Sequence, residues 1–410
     1  STIFFERGRG DLGLHTPRSL DPFPSEWLDV GDIDGDGDPD FVSSSQNSIR
    51  VRTNDGAGHF TSIVYPDGIN GQTHQPHLVD LNADGVLDLV VTGSGQGSSG
   101  KEVSLFMGQP GGMFAFTLAL DTGFTQAYES AIGDVDGDGD LDIAVTVFKT
   151  GGTFGVQVFR NTGSLTFAAP EFLPTSGAWS ASAGDLDGDG RDEFVITSAS
   201  ASMVYVVGCE GNGPIAFRQE INLGMQNVAR TGVLDDIDHD GDLDFVVVRS
   251  NALQTLLNDG TGVLSLATTL PISSDGYAMS LADVTGNGVK DAVVVHFGLS
   301  LQGVSVLEGH PDGTFTPLGF LSGRTAGDVI VADFDQDGDA DIVTAGDTPM
   351  LYESQLTLLR AADLDCDGIV GASDLAVLLG AWGGIIDVAV KSAPSIQWPG
   401  TMPISVSGIG

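Results

Sequence analysis

Apolar positions along this chain follow the period of a strand, not of a helix, and the pattern restarts roughly every fifty residues. The stretch 126–168 shows one round. QAYESAIG leads into an acidic loop, LDIAVTVF is an apolar run suited to a fully buried strand, GVQVFR alternates, and LTFAAP follows the turn NTGS. This predicts four strands per round. Turn phrases recur at matching places, NDGAGHF from 54, QPGGMFAF from 109, NDGTGVL from 258 and HPDGTF from 310, each with the Gly and Asn/Asp signals of a hairpin.

The rounds are marked by seven copies of one acidic phrase: GDIDGDGDPDFV from 31, VDLNADGVLDLV from 79, GDVDGDGDLDIA from 133, GDLDGDGRDEFV from 184, DDIDHDGDLDFV from 235, ADVTGNGVKDAV from 282 and ADFDQDGDADIV from 332. Their first acids are spaced by 48, 54, 51, 51, 47 and 50 residues. That period is the size of a four-stranded propeller blade. The expectation is an all-β, seven-bladed β-propeller over residues 1–358. The N-terminal FFERGRGDLGLH reads as the second half of a round, expected to pair with the last blade near MLYES at 350 and so remove an open sheet edge.

Each phrase puts oxygen-bearing side chains at loop positions 1, 3, 5 and 9, with Gly at 6 in every copy. The residues are Asp32, Asp34, Asp36 and Asp40; Asp80, Asn82, Asp84 and Asp88; Asp134, Asp136, Asp138 and Asp142; Asp185, Asp187, Asp189 and Glu193; Asp236, Asp238, Asp240 and Asp244; Asp283, Asn287 and Asp291; and Asp333, Asp335, Asp337 and Asp341. Short carboxylates converging on one turn repel unless a cation sits among them. Oxygen donors at this density suit Ca2+, while transition metals favour His or Cys. The sixth loop has Thr285 at position 3 and only two acids, so its site is expected to be the weakest. A further phrase, DLDCDGIVGASD from 363, sets Asp363, Asp365, Asp367 and Asp374 at the spacing of an EF-hand loop, for seven or eight calcium sites in all.

Charge bears this out. The chain of 410 residues carries a net charge of −40, yet 34 of its 56 acids lie in these loops, and the other 22 nearly balance 16 bases. Eight calcium ions would bring −40 to −24. No Lys/Arg cluster exists, so nucleic acid and anionic membrane surfaces are poor partners, and no apolar run is long enough for a membrane span. Ser1 reads as the start of a mature or trimmed chain, and the two cysteines, Cys209 and Cys366, allow one bridge at most.

These DxDGDGxxD phrases resemble the FG-GAP/VCBS repeats of integrin-α-like β-propellers. The resemblance implies calcium-stabilised loops and an extracellular setting, secreted or on the cell surface. It does not select among adhesins, lectins and parts of polysaccharide-degrading enzymes. Residues 359–384, with the EF-hand-like loop and the apolar LAVLLGAW, look like half of a type I dockerin, which implies a cohesin-like partner or a structural cap. Residues 385–410 read as a β tail and weakly resemble the opening of an immunoglobulin-like domain.

No GxSxG, HExxH, Walker or Rossmann phrase is present, so no catalytic residue is assigned. His74 and His77, in THQPH, could ligate a transition metal but read more simply as a polar loop. A different pattern lies six residues before the first acid of each round, at Glu26, His74, Tyr128, Trp179, Arg230, Tyr277 and Gly327, with Trp27 one step on. In a propeller of this type that strand is innermost, so these residues are expected to ring one mouth of the channel, opposite the calcium loops. Large aromatic and charged side chains there suit sugar rings or protein side chains. The resulting expectation is a non-catalytic module for adhesion or recognition of carbohydrate or extracellular protein. Other readings are a polysaccharide lyase-type domain, or an architectural subunit with an assembly partner.

Overall fold

Each acidic phrase ends one strand and starts the next, and the chain folds back on itself antiparallel at every loop. The computed structural model describes residues 17–354 apart from 21–22, 46–47, 67–70, 96–101, 150, 212, 225–227, 273–275, 298–301 and 323–326. The described residues belong to the first of two units, Ser1–Thr357, the second being Leu358–Gly410. The EF-hand-like loop with Asp363, Asp365, Asp367 and Asp374, the β tail and the segment FFERGRGDLGLH lie outside the described residues.

Seven four-stranded antiparallel sheets form the seven blades of a β-propeller. The third blade runs from its inner strand Gln126–Gly133 through Asp142–Lys149 and Thr153–Phe159 to the outer strand Glu171–Thr175. Both middle strands are buried along most of their length. The alternation read in GVQVFR therefore does not appear as alternating exposure, because neighbouring blades cover both faces of the middle strands. True alternation is confined to outer strands such as Ala216–Asn222. The outer strand of the third blade also begins later than LTFAAP suggested. Residues between it and Phe159 turn back first, through an Asn161–Phe167 bridge and positive φ at Ser164 and Leu165.

Packing lies between blades. One apolar cluster joins Val156 and Val158 of the third blade to Phe194, Ile196 and Val207 of the fourth, and corresponding clusters fill the other seams. Between the seventh and first blades, Phe334 meets Phe41 and Phe60 edge-to-face, with centroids 6.2 and 5.7 Å away. No blade can bury its faces alone, so the ring must close.

Among the described residues, the last blade receives its fourth strand from the N-terminal side of the chain. Arg18–Ser19 pair with Leu351 and Met350 as the outer strand of the last blade. Leu20 N–H donates to Pro349 O, Ser25 bridges Gly346, and Arg18 pairs with Glu353 at 3.2 Å. Deleting residues 1–22 is expected to lower the melting temperature and make the chain associate through the bared edge of Met350–Tyr352, as light scattering would detect. Unchanged melting and a monodisperse monomer would contradict this account of closure.

Candidate functional site

The seven loops share one wiring scheme, built on the Asp at position 1. Its Oδ2 accepts the N–H of the position-6 glycine in all seven, at 2.7–3.2 Å, from Gly37 on Asp32 to Gly338 on Asp333. The position-5 side chain takes the N–H of position 7, as when Asp138 Oδ1 accepts from Asp140 at 3.0 Å. Each position-6 glycine has φ between 85° and 102°, a left-handed geometry that L side chains resist. Position 4 is also left-handed in every loop, including the non-glycine residues Ala83, His239 and Gln336 at 57°, 61° and 57°.

Position 9 does something the sequence did not reveal. Asp40, Asp88, Asp142, Asp244, Asp291 and Asp341 are fully buried, and in each one oxygen accepts a backbone N–H from the start of its own loop. The other oxygen accepts an N–H at the end of the third strand of the blade or within two residues past it, from Asn54, Gly108, Asn161, Asn258, Gly309 and Ser354, at 2.7–2.9 Å. In the fourth blade Glu193 keeps the first contact but gives its other oxygen to Arg218 at 2.7 Å. Burial outweighs these hydrogen bonds: it pushes Asp142 and Asp341 up to about 7, and Asp40 and Glu193 up to about 6.

Oxygens converge within 4.8 Å of one another in five loops, at Asp32/Asp34/Asp36, Asp134/Asp136/Asp142, Asp185/Asp187/Glu193, Asp236/Asp238/Asp244 and Asp333/Asp335/Asp341. These groups could hold a metal ion, and their all-oxygen donor set fits a hard cation. Position 5 joins the set in the first loop; in the other four, Asp138, Asp189, Asp240 and Asp337 each accept the position-7 N–H. Among the described residues, the second loop (Asp80, Asn82, Asp84) and the sixth (Asp283, Asn287) bring no three acids or imidazoles together in this way. Two loops already have a cation at hand: Arg160 lies 3.3 Å from Asp136, and Arg218 lies 3.6 Å from Asp187.

At the opposite end of the inner strands, most of the expected ring is assembled. His74 meets Tyr128 at 5.7 Å, Tyr128 stacks on Trp179 at 4.9 Å, Arg230 lies over Trp179 and Tyr277 at 5.1 and 5.5 Å, and Tyr277 meets Trp27 at 6.2 Å. The last contact skips the seventh blade, where Gly327 packs so close to the backbone of Glu26 that a Cβ would lie 1.9 Å from its carbonyl oxygen. Trp27, not Glu26, supplies the first blade's ring contact. Five inner strands carry a bulge at this point, between Ala127 and Ser130 for example, but Trp27–Gly31 pairs in unbroken register, which shifts its side chains by one. Burial, with Glu129 nearby, pushes Tyr277 up to about 12, and burial pushes His74 down to about 4.

Hydroxyls on the second strands hold the ring in place. Thr92, Thr146 and Thr197 donate to the carbonyls of Tyr128, Trp179 and Arg230 in the following blades at 2.5–2.8 Å, and Ser44 donates to that of His74. Each stands twelve residues after the first acid of its loop, a regularity visible in the sequence once the phrases are aligned. His74 and His77 lie on a strand, not in a loop, and form no metal-binding group; His77 Nε2 is committed to Ser130 O at 2.7 Å.

A fold with these loops defines a class of repeat propeller, and comparison with known proteins agrees. The FG-GAP-like repeat model matches residues 32–91, 80–145, 134–196, 236–294 and 283–344, and the chain belongs to that family. No curated protein matches it. Among solved structures, an Agrocybe aegerita lectin that specifically recognises non-reducing terminal N-acetylglucosamine is similar at 21% identity and a TM-score of 0.51, over 81% of this chain and 86% of the lectin. BBS1N, solved in complex with ARL6DN, aligns at 12% identity and a TM-score of 0.54, over 85% of this chain and 98% of its own. A Lactobacillus plantarum protein aligns at 13% identity and a TM-score of 0.53, over 80% and 88% of the two chains. At these identities the likeness is one of fold. Among the described residues no helix is long and apolar enough to cross a membrane.

Two outcomes follow for the loops. Asp142 and Asp341 bind protons more tightly in the fold, at about 7, than at the ordinary value of 3.8. Their contribution is therefore full below pH 4 and is lost as pH rises toward 7. In excess chelator the melting temperature should fall across that window, and a divalent cation at pH 7 should restore it; a flat or rising profile in chelator would contradict the assignment. His239→Gly, which relieves a left-handed non-glycine residue, should stabilise the chain by about 1 kcal/mol, whereas Gly241→Ala should cost a similar amount, both read from chemical denaturation.

Proposed function

We propose that this chain is an extracellular, calcium-stabilised recognition propeller that binds carbohydrate, without catalysis, at the aromatic mouth of its channel. The observation that carries the reading is the unbroken series of ring contacts from His74 through Tyr128, Trp179, Arg230 and Tyr277 to Trp27. Six different blades contribute to one surface, and five of the six side chains offer flat faces. Such faces suit the apolar side of a sugar ring, while Arg230 supplies a charged hydrogen-bonding group among them. The lectin among the similar propellers supports the reading at the level of fold.

Calcium has a structural part in this proposal. Bound at the five convergent loops, it neutralises carboxylates that would otherwise repel, and it stabilises the native state by mass action. Extracellular calcium modules work at roughly 0.1–1 mM, a concentration range that fills such sites outside the cell. The first, fifth and seventh loops should bind best. The third and fourth compete with Arg160 and Arg218, and the second and sixth lack the convergent set.

A glycan array probed with the purified chain in millimolar calcium tests the site. Binding should fall at least tenfold in Trp179→Ala, with the melting temperature little changed because Trp179 belongs to none of the apolar clusters that fill the seams between blades. A variant that binds like the parent chain, or a folded parent chain that binds no glycan, would overturn the carbohydrate reading.

A further inference from the structure

The channel along the propeller axis holds a cavity of about 460 Å3. Its charge is one-sided. Three carboxylates, Asp29, Glu129 and Asp328, line it together with one imidazole, His77, whereas Arg230 is engaged at the mouth by Trp179 and Tyr277. Two of the acids are anchored on both oxygens. Asp29 accepts the N–H groups of Val30 and Leu78 at 2.9 and 2.7 Å, with His77 Nδ1 at 3.8 Å, and Asp328 accepts those of Leu28 and Val329 at 3.0 and 2.9 Å.

Glu129 is different. It is 2% exposed, it takes hydrogen bonds from the Ser180 hydroxyl and the Ala181 N–H, and its Oε1 has no hydrogen-bond partner in the protein. An oxygen without a donor, on a buried carboxylate that lines a cavity, costs free energy that a native fold rarely leaves uncompensated. We infer that the channel is a cation site, in which a hard metal ion that keeps part of its water shell binds at Glu129 Oε1 and is balanced by Asp328 and Asp29.

The donor set selects the ion. The available groups are carboxylate and hydroxyl oxygens, no thiol lines the cavity, and His77 Nε2 is spent on Ser130 O. That chemistry suits calcium or a similar hard cation over a transition metal. The three acids are not among the groups whose oxygens lie within 4.8 Å of one another, so a bare ion cannot touch all of them. At about 30 Å3 per water, the cavity has room for an ion and bridging waters. Protonation is the competing answer, since burial raises Glu129 to about 8 and Asp328 to about 7. A protonated Glu129 bonded only to channel water would leave the channel without an ion, which is the outcome the experiment below distinguishes. The site is also apart from the loops, because Glu129 precedes Asp134 by five residues of extended strand, about 16 Å of chain.

Crystals of the full chain grown with strontium would decide the matter, because anomalous scattering reports the channel and each loop separately. A channel peak beside Glu129 is expected in the parent chain. It should vanish in Glu129→Gln, and in Asp328→Asn as a second variant, while the loop peaks persist. Native mass spectrometry in calcium should count one ion fewer per chain for Glu129→Gln at an unchanged melting temperature. A channel without an anomalous peak, whether or not the loops are filled, would overturn the inference, as would a peak that survives Glu129→Gln. The loop peaks bear on the loop reading alone, so failure of one is distinguishable from failure of the other.

Discussion

A buried carboxylate hydrogen-bonded to two separate backbone segments is the constraint on which the architecture depends. At position 9 the acid ties the start of its own loop to the end of the third strand of the blade, as Asp142 does for Val135 and Asn161. One side chain thereby fixes where the loop begins, where the second strand begins and where the third strand ends. Moving such a group out of water is costly, and the cost recurs around the ring. It is tolerable because backbone donors meet both oxygens in six of the blades, and in four loops the same acid lies within 4.8 Å of two further carboxylates in a group that could hold a metal ion.

From that anchor the other features follow in order. A fixed loop sets the end of the inner strand, and the opposite end must then fall at the channel mouth. Threonines on the second strands secure it by donating to the next blade's carbonyls, so the backbone of the mouth is held while its side chains are left to vary. Neither the seams between blades nor the loop wiring depends on whether the mouth residue is His74, Trp179 or Arg230. Recognition can be placed there at little cost to stability. The channel behind the mouth is the exception, since Glu129 carries an unmet requirement of its own.

Much of this was legible in the sequence, because the repeat fixes spacing and spacing fixes topology. Seven phrases gave seven blades, and the offset before each phrase gave the ring. What could not be read depends on contacts distant in sequence. The second partner of Asp40 is Asn54, and nothing in either phrase announces that pairing. Left-handed geometry at Ala83, His239 and Gln336 is imposed by the loop against residue preference. Trp27 replaces Glu26 in the ring because the first blade lacks the bulge found in five others, a difference of pairing rather than of composition. Closure at Arg18–Ser19 is a strand of two residues, too short for any periodic signal.

The central claim is that the loop carboxylates fold as a cation-requiring set, and calcium titration of the chelator-treated chain by calorimetry in two buffers of different ionisation enthalpy addresses it most directly. Near pH 6.5 the account predicts uptake of several ions per chain with release of protons, since burial holds Asp142 and Asp341 at about 7 until an ion displaces the proton. A folded chain that takes up no calcium, or takes it up without releasing protons, would contradict it.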